Sequence, residues 1–434
     1  MLLHHFPERM PTTQQPGLVR VIGRWALTGL VLNSIIGSGI FGLPSLVAGK
    51  LGAASPWAYL IAAAGVGVIM ACFAEVGSRF REAGGPYLYA REAFGRFAGI
   101  QMAWVSWLVR LTASAANANL FVIYLAEFWA PANGRVPRVL IITILVGMLA
   151  AVNFRGVSAG TQISNIFIVA KLLPLTLFVM LGVFFLHAGS FRVGTTAPHG
   201  AWLDAILVLV FAYGGFEAAL FPMSEAKNPQ RDVPFSLFTA LAVTTLLYTG
   251  IQIVVMGVLD SPTASDRPLA AAAAQFLGPT GAILMTVGAL LSVYGYLSSM
   301  MLNTPRLTYA LAEKRDLPQL LAAIHPRFRT PYISIVVFAL MVWGLALAGS
   351  FRWNVALSAV ARLFTYGATC MAVIALRKKQ PGGEVFHLPA GGLVALLGVV
   401  FSLVLVSRMD RSALAIVAVT VVMGFLNWLW ARRS

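Results

Sequence analysis

Residues 35–44 read Ile-Ile-Gly-Ser-Gly-Ile-Phe-Gly-Leu-Pro, and this stretch decides the fold because it interrupts the middle of an apolar segment. Glycine weakens a helix by roughly 1 kcal/mol relative to alanine and leaves the backbone accessible. Residues 211–222 read Phe-Ala-Tyr-Gly-Gly-Phe-Glu-Ala-Ala-Leu-Phe-Pro and again place glycines inside an apolar segment, followed by a proline. The sequence therefore predicts two helices that break at matching points.

The segments around these two stretches are too apolar for a soluble protein. Of the 434 residues, 59% are hydrophobic and 11% are charged, and the mean hydropathy is +0.82. A helix that crosses a bilayer needs about 20 predominantly apolar residues. Twelve such segments predict an all-α integral membrane protein with twelve transmembrane helices, at residues 25–48, 55–78, 95–130, 136–154, 158–188, 202–224, 233–259, 280–312, 332–350, 353–377, 389–407 and 411–431.

The positive charge of the chain gives the topology. The net charge is +16, but the basic residues lie in short loops between apolar segments and not in a stripe that would suit a nucleic acid. Because cytoplasmic loops are enriched in Lys and Arg, we predict a multi-pass protein of the cell membrane with both termini in the cytoplasm. The segment before Trp25 lacks the apolar core of a signal peptide and is predicted to be a cytoplasmic tail.

Several classes of site are not expected. Cys72 and Cys370 lie in apolar segments, and the six histidines form no cluster with ligand spacing, so we predict neither a metal site nor a cofactor. An enzyme is not expected because the spans lack a carboxylate cluster or a nucleophile with a base. The sequence also shows no obligatory protein partner, and the lipid bilayer is its expected surrounding.

The paired breaks predict a secondary transporter built from two inverted repeats, with a substrate site at the middle of the membrane. The alternative is that these glycines only allow close helix packing; the matched positions and Glu217 favour a site. Broken helices expose N–H groups that suit a carboxylate and C=O groups that suit an ammonium, as in an amino acid. The break residues predicted to bind substrate are Ile35, Gly37, Ser38, Gly39, Ile40, Phe211, Gly214 and Gly215.

Three motifs together resemble a known family: Gly37 to Phe41, Gly84 to Arg91, and Phe211 to Glu217 followed by Lys227-Asn228-Pro229. They are similar to the amino acid-polyamine-organocation superfamily of permeases. The resemblance implies a LeuT-type fold, with a 5+5 inverted repeat and two peripheral helices. The expected units are a tail at 1–24, helices 1–5 at 25–200, helices 6–10 at 201–380, and helices 11–12 with the C-terminus at 381–434.

The same resemblance assigns roles to single residues. Phe211 corresponds to an aromatic gate over the substrate, and Glu217 to a conserved membrane glutamate that takes part in coupling. Ser114 on the third helix and Met300 on the eighth are expected to contact the substrate. Apart from the resemblance, Ser292 lies on a polar face of the eighth helix and is predicted from that position to take part in coupling. Lys171 resembles the lysine of sodium-independent permeases, either as a protonation switch or as a permanent tie to the first helix.

The other charged residues within spans leave alternatives open. Arg110 is a candidate partner for Glu217 or Glu75, and Arg362 is expected to be structural. The sequence favours a sodium-independent, proton-coupled permease for neutral L-amino acids, since Gly214 and Gly215 leave room for a bulky side chain. The alternatives are an exchanger of amino acids or polyamines and, less favoured, a channel.

Overall fold

The fold was determined from a computed structural model that describes residues 22–80, 84–156, 161–191, 197–220, 227–379 and 386–433. The regular structure of these residues consists of α-helices and short 3-10 turns. In chain order the α-helices are α1 (Arg24–Ile35), α2 (Ser38–Gly42), α3 (Pro44–Leu51), α4 (Ser55–Arg79), α5 (Gly85–Phe94), α6 (Arg96–Leu125), α7 (Arg135–Arg155), α8 (Thr161–Gly182), α9 (His199–Tyr213), α10 (Phe216–Ala219), α11 (Pro229–Val258), α12 (Pro268–Glu313), α13 (Tyr332–Ala348), α14 (Phe351–Lys379), α15 (Gly391–Val406) and α16 (Arg411–Arg433).

A described helix lies within each of the twelve predicted apolar segments, whereas residues 158–160 and 221–224 of two segments, with the predicted Pro222, lie outside the described residues. Among the described residues, nine segments are long and apolar enough to cross a membrane, and three shorter apolar helices lie at Ala170–Phe185, Tyr332–Ala348 and Gly391–Val406. The chain is therefore a helical, multi-pass membrane protein. The number of twelve crossings, the inverted repeat and the domain boundaries remain predictions.

Glycine and proline set many of the helix ends. Pro44 starts α3, and Gly156 follows the end of α7 with a φ of 79°. Gly278 has a φ of 62° and a ψ of −157°, so it divides α12 into a short first helix and a long second helix.

The helices differ in how much protein surrounds them. In α6, 83% of the most apolar window is buried inside the protein, whereas α7 and α16 bury 28% of theirs. Helix α6 packs against α14, α5 and α12, and therefore lies at the centre of the bundle. Helices α7 and α16 present large apolar side chains outward, as lipid-facing helices do.

The sequence analysis missed α5, the short helix between α4 and α6. Gly85, with a φ of 53°, precedes Pro86 at the start of this helix. Tyr87 and Tyr89 are buried, and Gly95 ends the helix with a φ of 94°. Because α5 packs on α6 and α14, it covers one end of the bundle below the broken helices.

Candidate functional site

Both predicted breaks are present. Helix α1 ends at Ile35, Gly37 has φ −128° and ψ −143°, and α2 starts at Ser38. Helix α9 ends at Tyr213, and Gly215 adopts a left-handed conformation with φ 112° before α10. A residue with a side chain is strained in that conformation, so the second break requires glycine at position 215.

The two breaks pack against each other, backbone to backbone. A methyl group on Gly39 would lie 2.8 Å from Cα of Ala212 and 3.5 Å from Cδ1 of Phe211. A methyl group on Gly215 would overlap the carbonyl oxygen of Ser34. The predicted gate, Phe211, therefore lies beside the start of α2, and the glycines permit the close approach.

Several buried polar atoms at and around the breaks have no hydrogen-bond partner within the described part of the chain, and four of them lie on or beside predicted site residues. These four are the hydroxyl oxygens of Ser38, Ser114 and Ser292 and the side-chain oxygen of Asn117. Asn117 lies beside the first break, because a methyl group on Gly37 would be 3.8 Å from its oxygen. Buried polar atoms are nearly always hydrogen-bonded, so these four atoms indicate a place that water or a ligand fills.

Glu217 is held at the start of α10 by three donors. It accepts hydrogen bonds from the N–H of Gly215 (2.9 Å) and the hydroxyl of Tyr366 (3.2 Å), and it forms an ion pair with Arg362. Arg362 also contacts Gly214, whose added methyl group would lie 2.7 Å from Nε. The expected structural role of Arg362 is thus a specific one: it ties α14 to the second break.

Arg110, the candidate partner that the sequence offered, lies nearby and interacts electrostatically with Glu217. It lines a cavity of about 20 Å³ together with Glu217 and Arg362; the other lining residues are Pro86, Ser106, Val109, Gly215, Ala218, Tyr296, Met300 and Thr365. This volume holds about one water molecule, far less than an amino acid needs. The second acid proposed for Arg110, Glu75, instead pairs with Arg79 and Arg377.

Lys171 joins α8 to the end of α1, directly before the first break. Its ammonium donates to the carbonyl oxygen of Asn33 (3.2 Å), the side-chain oxygen of Asn33 (2.9 Å) and the carbonyl oxygen of Ile36 (3.0 Å). This is the tie to the first helix that the sequence analysis considered. Ser292 lies on α12, which packs against α8: a methyl group on Gly288, one turn before Ser292, would be 3.1 Å from Pro174.

The structure divides the predicted site residues into two groups. Ser38, Gly39, Ile40 and Phe211 meet where α2 packs against α9, while Gly215, Glu217 and Met300 meet at the cavity. The remaining predictions lie between or beside these groups: Ile35, whose carbonyl lies 3.4 Å from the Tyr248 hydroxyl, Gly37 beside Asn117, Ser114 on α6, and Gly214 against Arg362.

Sequence analysis did not identify Tyr248, Arg362 or Tyr366 as partners of the breaks. Their contacts join residues far apart in the chain, on α11 and α14, and no short motif marks them. A buried arginine on α14 was the available signal, because a charge within a span needs a partner. The sequence analysis instead considered Arg110 as the partner of Glu217.

Comparison with known proteins agrees with this architecture. The model of the amino acid permease family matches residues 22–429. The chain is 26% identical to a methylthioribose transporter of Bacillus subtilis (strain 168), over 85% of this chain and 84% of that protein. It is 28% identical to the serine/threonine exchanger SteT (74% and 75% covered) and 25% identical to the branched-chain amino acid permease BcaP (97% and 95%), both of the same organism. The chain therefore belongs to the amino acid permease family of the amino acid-polyamine-organocation superfamily, and it is a membrane transporter and not an enzyme.

Proposed function

We propose that this permease carries neutral L-amino acids across the cell membrane by alternating access, without sodium and coupled to protons. The observation that carries the proposal is the pair of broken helices in backbone contact, surrounded by buried polar atoms without partners. In this proposal the first N–H groups of α2, at Ser38, Gly39 and Ile40, bind the carboxylate of the substrate. Phe211, which touches this turn, closes over the substrate from outside.

The charges near the cavity support a neutral cargo over a polyamine. Two arginines and one glutamate are among the described residues that line it. A polycation would approach Arg110 and Arg362 with like charge, and like charges repel strongly where little water screens them. Met300 adds an apolar contact that suits an aliphatic or aromatic side chain.

The contacts of Lys171 support independence from sodium. An ammonium group already occupies the oxygen atoms of Asn33 and Ile36 at the end of α1. In the proposal this group takes the place that a sodium ion has in sodium-coupled carriers of this fold. Ser292 and Glu217 complete the proposed coupling residues. In the proposed cycle the predicted transmembrane helices 1, 2, 6 and 7 rock against transmembrane helices 3, 4, 8 and 9. Both termini are proposed to be cytoplasmic.

Exchange of internal for external amino acid is the second candidate, and one observation favours it: a relative is named a serine/threonine exchanger. An exchanger needs the same substrate site but returns to the other side only when loaded. The two candidates therefore differ in whether empty vesicles take up substrate.

The test is uptake of labelled amino acids into proteoliposomes with and without sodium, an inward proton gradient and internal substrate. We expect sodium-independent uptake of neutral amino acids that an inward proton gradient increases, with no requirement for protein partners. Uptake only into preloaded vesicles would establish exchange instead. Transport of polyamines or methylthioribose but of no amino acid would overturn the proposed cargo.

Two variants link this test to the site. Lys171→Met should abolish uptake, whereas Lys50→Met, at a lysine on α3 that pairs with Asp204 at 3.7 Å, should retain it. Gly39→Val tests carboxylate binding less cleanly, because the added side chain would also displace Ala212. Normal uptake by a folded Lys171→Met protein would contradict the proposed role of this lysine.

A further inference from the structure

A groove of about 470 Å³ opens between α7, α13 and the loop that precedes α13. It is lined by Ala150, Ala151, Phe154, Arg155, Phe328, Ile335 and Val336. The volume falls within the range of about 300–1,000 Å³ that small-molecule sites occupy. The groove is remote in the fold from the broken helices, and the transport proposal does not use it.

The floor of the groove is held in place by packing and a hydrogen bond. The ring of Phe154 contacts the rings of Phe328 and Tyr332 at centroid distances of 5.9 and 6.1 Å. The hydroxyl of Thr330 donates to the carbonyl oxygen of Phe154 at 2.8 Å. The loop is thus fixed to the end of α7, and the groove exists before any ligand binds.

One half of the groove is apolar and lies on the lipid-facing side of the bundle. Helix α7 exposes Ile144, Met148 and Val152 at successive turns, and small residues at 150 and 151 leave a recess beside this ridge. An empty apolar recess loses dispersion contacts, and water gains few hydrogen bonds in it. In a bilayer an acyl chain supplies the missing contacts.

The other half of the groove is basic. Arg155 is exposed at the last turn of α7 and, within the described residues, forms no hydrogen bond or ion pair with the protein. The guanidinium of Arg327 lies 5.5 Å from the ring centroid of Phe328, so a second positive charge flanks the same wall. Among the described residues no acidic side chain lines the groove, and the sequence of residues 157–160, which follow α7, contains none. A guanidinium matches the geometry of a phosphate group.

We propose that this groove binds one anionic phospholipid. The acyl chain packs against Ala150, Ala151, Ile335 and Val336, and the phosphodiester pairs with Arg155. Basic pockets between transmembrane helices favour anionic head groups in this way. The proposal rests on neither the identity of the transported solute nor the orientation of the protein.

The test uses the full-length permease in detergent, with phosphatidylglycerol and phosphatidylcholine as probes. Native mass spectrometry should show one retained phosphatidylglycerol, favoured at least about fivefold over phosphatidylcholine at equal concentration, because both lipids carry a phosphodiester but the positive charges of Arg155 and Arg327 repel the quaternary ammonium of choline. Phosphatidylglycerol should also raise the thermal unfolding midpoint. Inorganic phosphate should not displace the lipid, because it lacks the apolar contacts.

Three variants make the result specific to the groove. Arg155→Gln should remove the preference for phosphatidylglycerol, and Ala151→Trp should reduce retention of both lipids by filling the recess. Arg135→Gln, at the exposed opposite end of α7, is the matched control and should behave as the wild type. Both test positions are exposed, so the variants should fold.

Four results would overturn the proposal. The first is equal retention of the two lipids by the wild type, and the second is an unchanged preference in Arg155→Gln. The third is an equal loss in Arg135→Gln, which would show attraction by overall positive charge. The fourth is displacement of the lipid by inorganic phosphate, which would show that the groove is a simple anion site.

Discussion

The buried polar groups at one end of the bundle and those at its centre differ in their hydrogen bonds. At the end, Glu75 on α4 accepts from Arg79 at 3.0 Å, from Arg377 at 2.7 and 2.6 Å and from the N–H of Leu388 at 3.0 Å. These contacts join α4 to α14 and to the segment before α15. At the centre, Ser38, Ser114 and Asn117 keep oxygen atoms without partners in the described chain.

Asp316, after α12, forms a second saturated cluster at the same end. Its carboxylate binds the hydroxyl of Tyr87 and the guanidinium groups of Arg91 (2.6 Å) and Arg96 (2.9 Å). Its carbonyl accepts from the amide of Asn427 on α16 at 2.7 Å. Burial, together with the hydrogen bond to Asp316, raises the pKa of Tyr87, so this hydroxyl remains a donor at all physiological pH values.

The contrast separates stability from function. The Glu75 contacts join α4, α14 and the segment before α15, and the Asp316 contacts join α5, α6 and α16, so these filled acceptors stabilise the fold. Unsatisfied hydroxyls beside broken helices cost stability, and a ligand can recover that cost on binding. Variants at the end should therefore change unfolding, and variants at the centre should change binding.

Gly215→Ala should have the largest effect, because this glycine matters both for the stability of the fold and for the function of the site. The left-handed backbone and the overlap with Ser34 should cost about 2 to 5 kcal/mol and abolish uptake. Thermal unfolding in detergent and uptake measure the two losses. The control is Gly344→Ala on α13, where an added methyl group meets nothing within 4 Å; equal stability of the two variants would contradict the break geometry.

Asp316→Asn should reduce the free energy of unfolding by about 2 to 4 kcal/mol, since it removes the buried negative charge that pairs with Arg91 and Arg96 and replaces one acceptor oxygen by a donor. Substrate affinity should change less than about twofold, because Asp316 lies away from the breaks. Denaturation and ligand-binding titrations give both values. Asp266→Asn, at a side chain that is 76% exposed, serves as the control and should leave both unchanged. A large loss of affinity in Asp316→Asn would erase the distinction between end and centre.

Ser114→Ala should have the smallest effect on stability and a clear effect on binding. Its hydroxyl has no partner in the described chain, so its removal should leave the unfolding midpoint unchanged or raise it slightly, and should weaken substrate binding by about 5- to 10-fold, the worth of one hydrogen bond. Thr112→Ala is the matched control on the same helix, because the Thr112 hydroxyl already donates to Leu108 at 2.8 Å. Unchanged affinity in Ser114→Ala would remove Ser114 from the site.

The sequence predicts much of this fold because its strongest patterns are local. The length of an apolar run predicts the helix at 136–154, which is observed as Arg135–Arg155. The conformational freedom of glycine predicts the breaks beside Gly37 and Gly215. These features depend on residues near one another in the chain. The lipid environment strengthens them, because backbone polar groups there must be satisfied within each helix.

The remaining features depend on contacts between distant residues. The choice of Arg362 over Arg110 for the ion pair with Glu217 depends on how α14 packs beside the break. The hydrogen bonds that fill the acceptor positions of Asp316 depend on α5, a helix that is too short and too polar to resemble a transmembrane segment. The contact of Gly39 with Ala212 likewise appears only when two separate helices meet.

The three bonds that hold the ammonium of Lys171 have a consequence for energetics. A charge fastened to α1 and α8 belongs to the protein and does not travel with the cargo. A zwitterion moves no net charge, so the membrane voltage does no work on it, whereas each accompanying cation would gain about 2.3 kcal/mol per 100 mV. Under the proposed function, which excludes sodium, the carrier accumulates its cargo only as far as a co-transported proton or a counter-transported solute supplies the work.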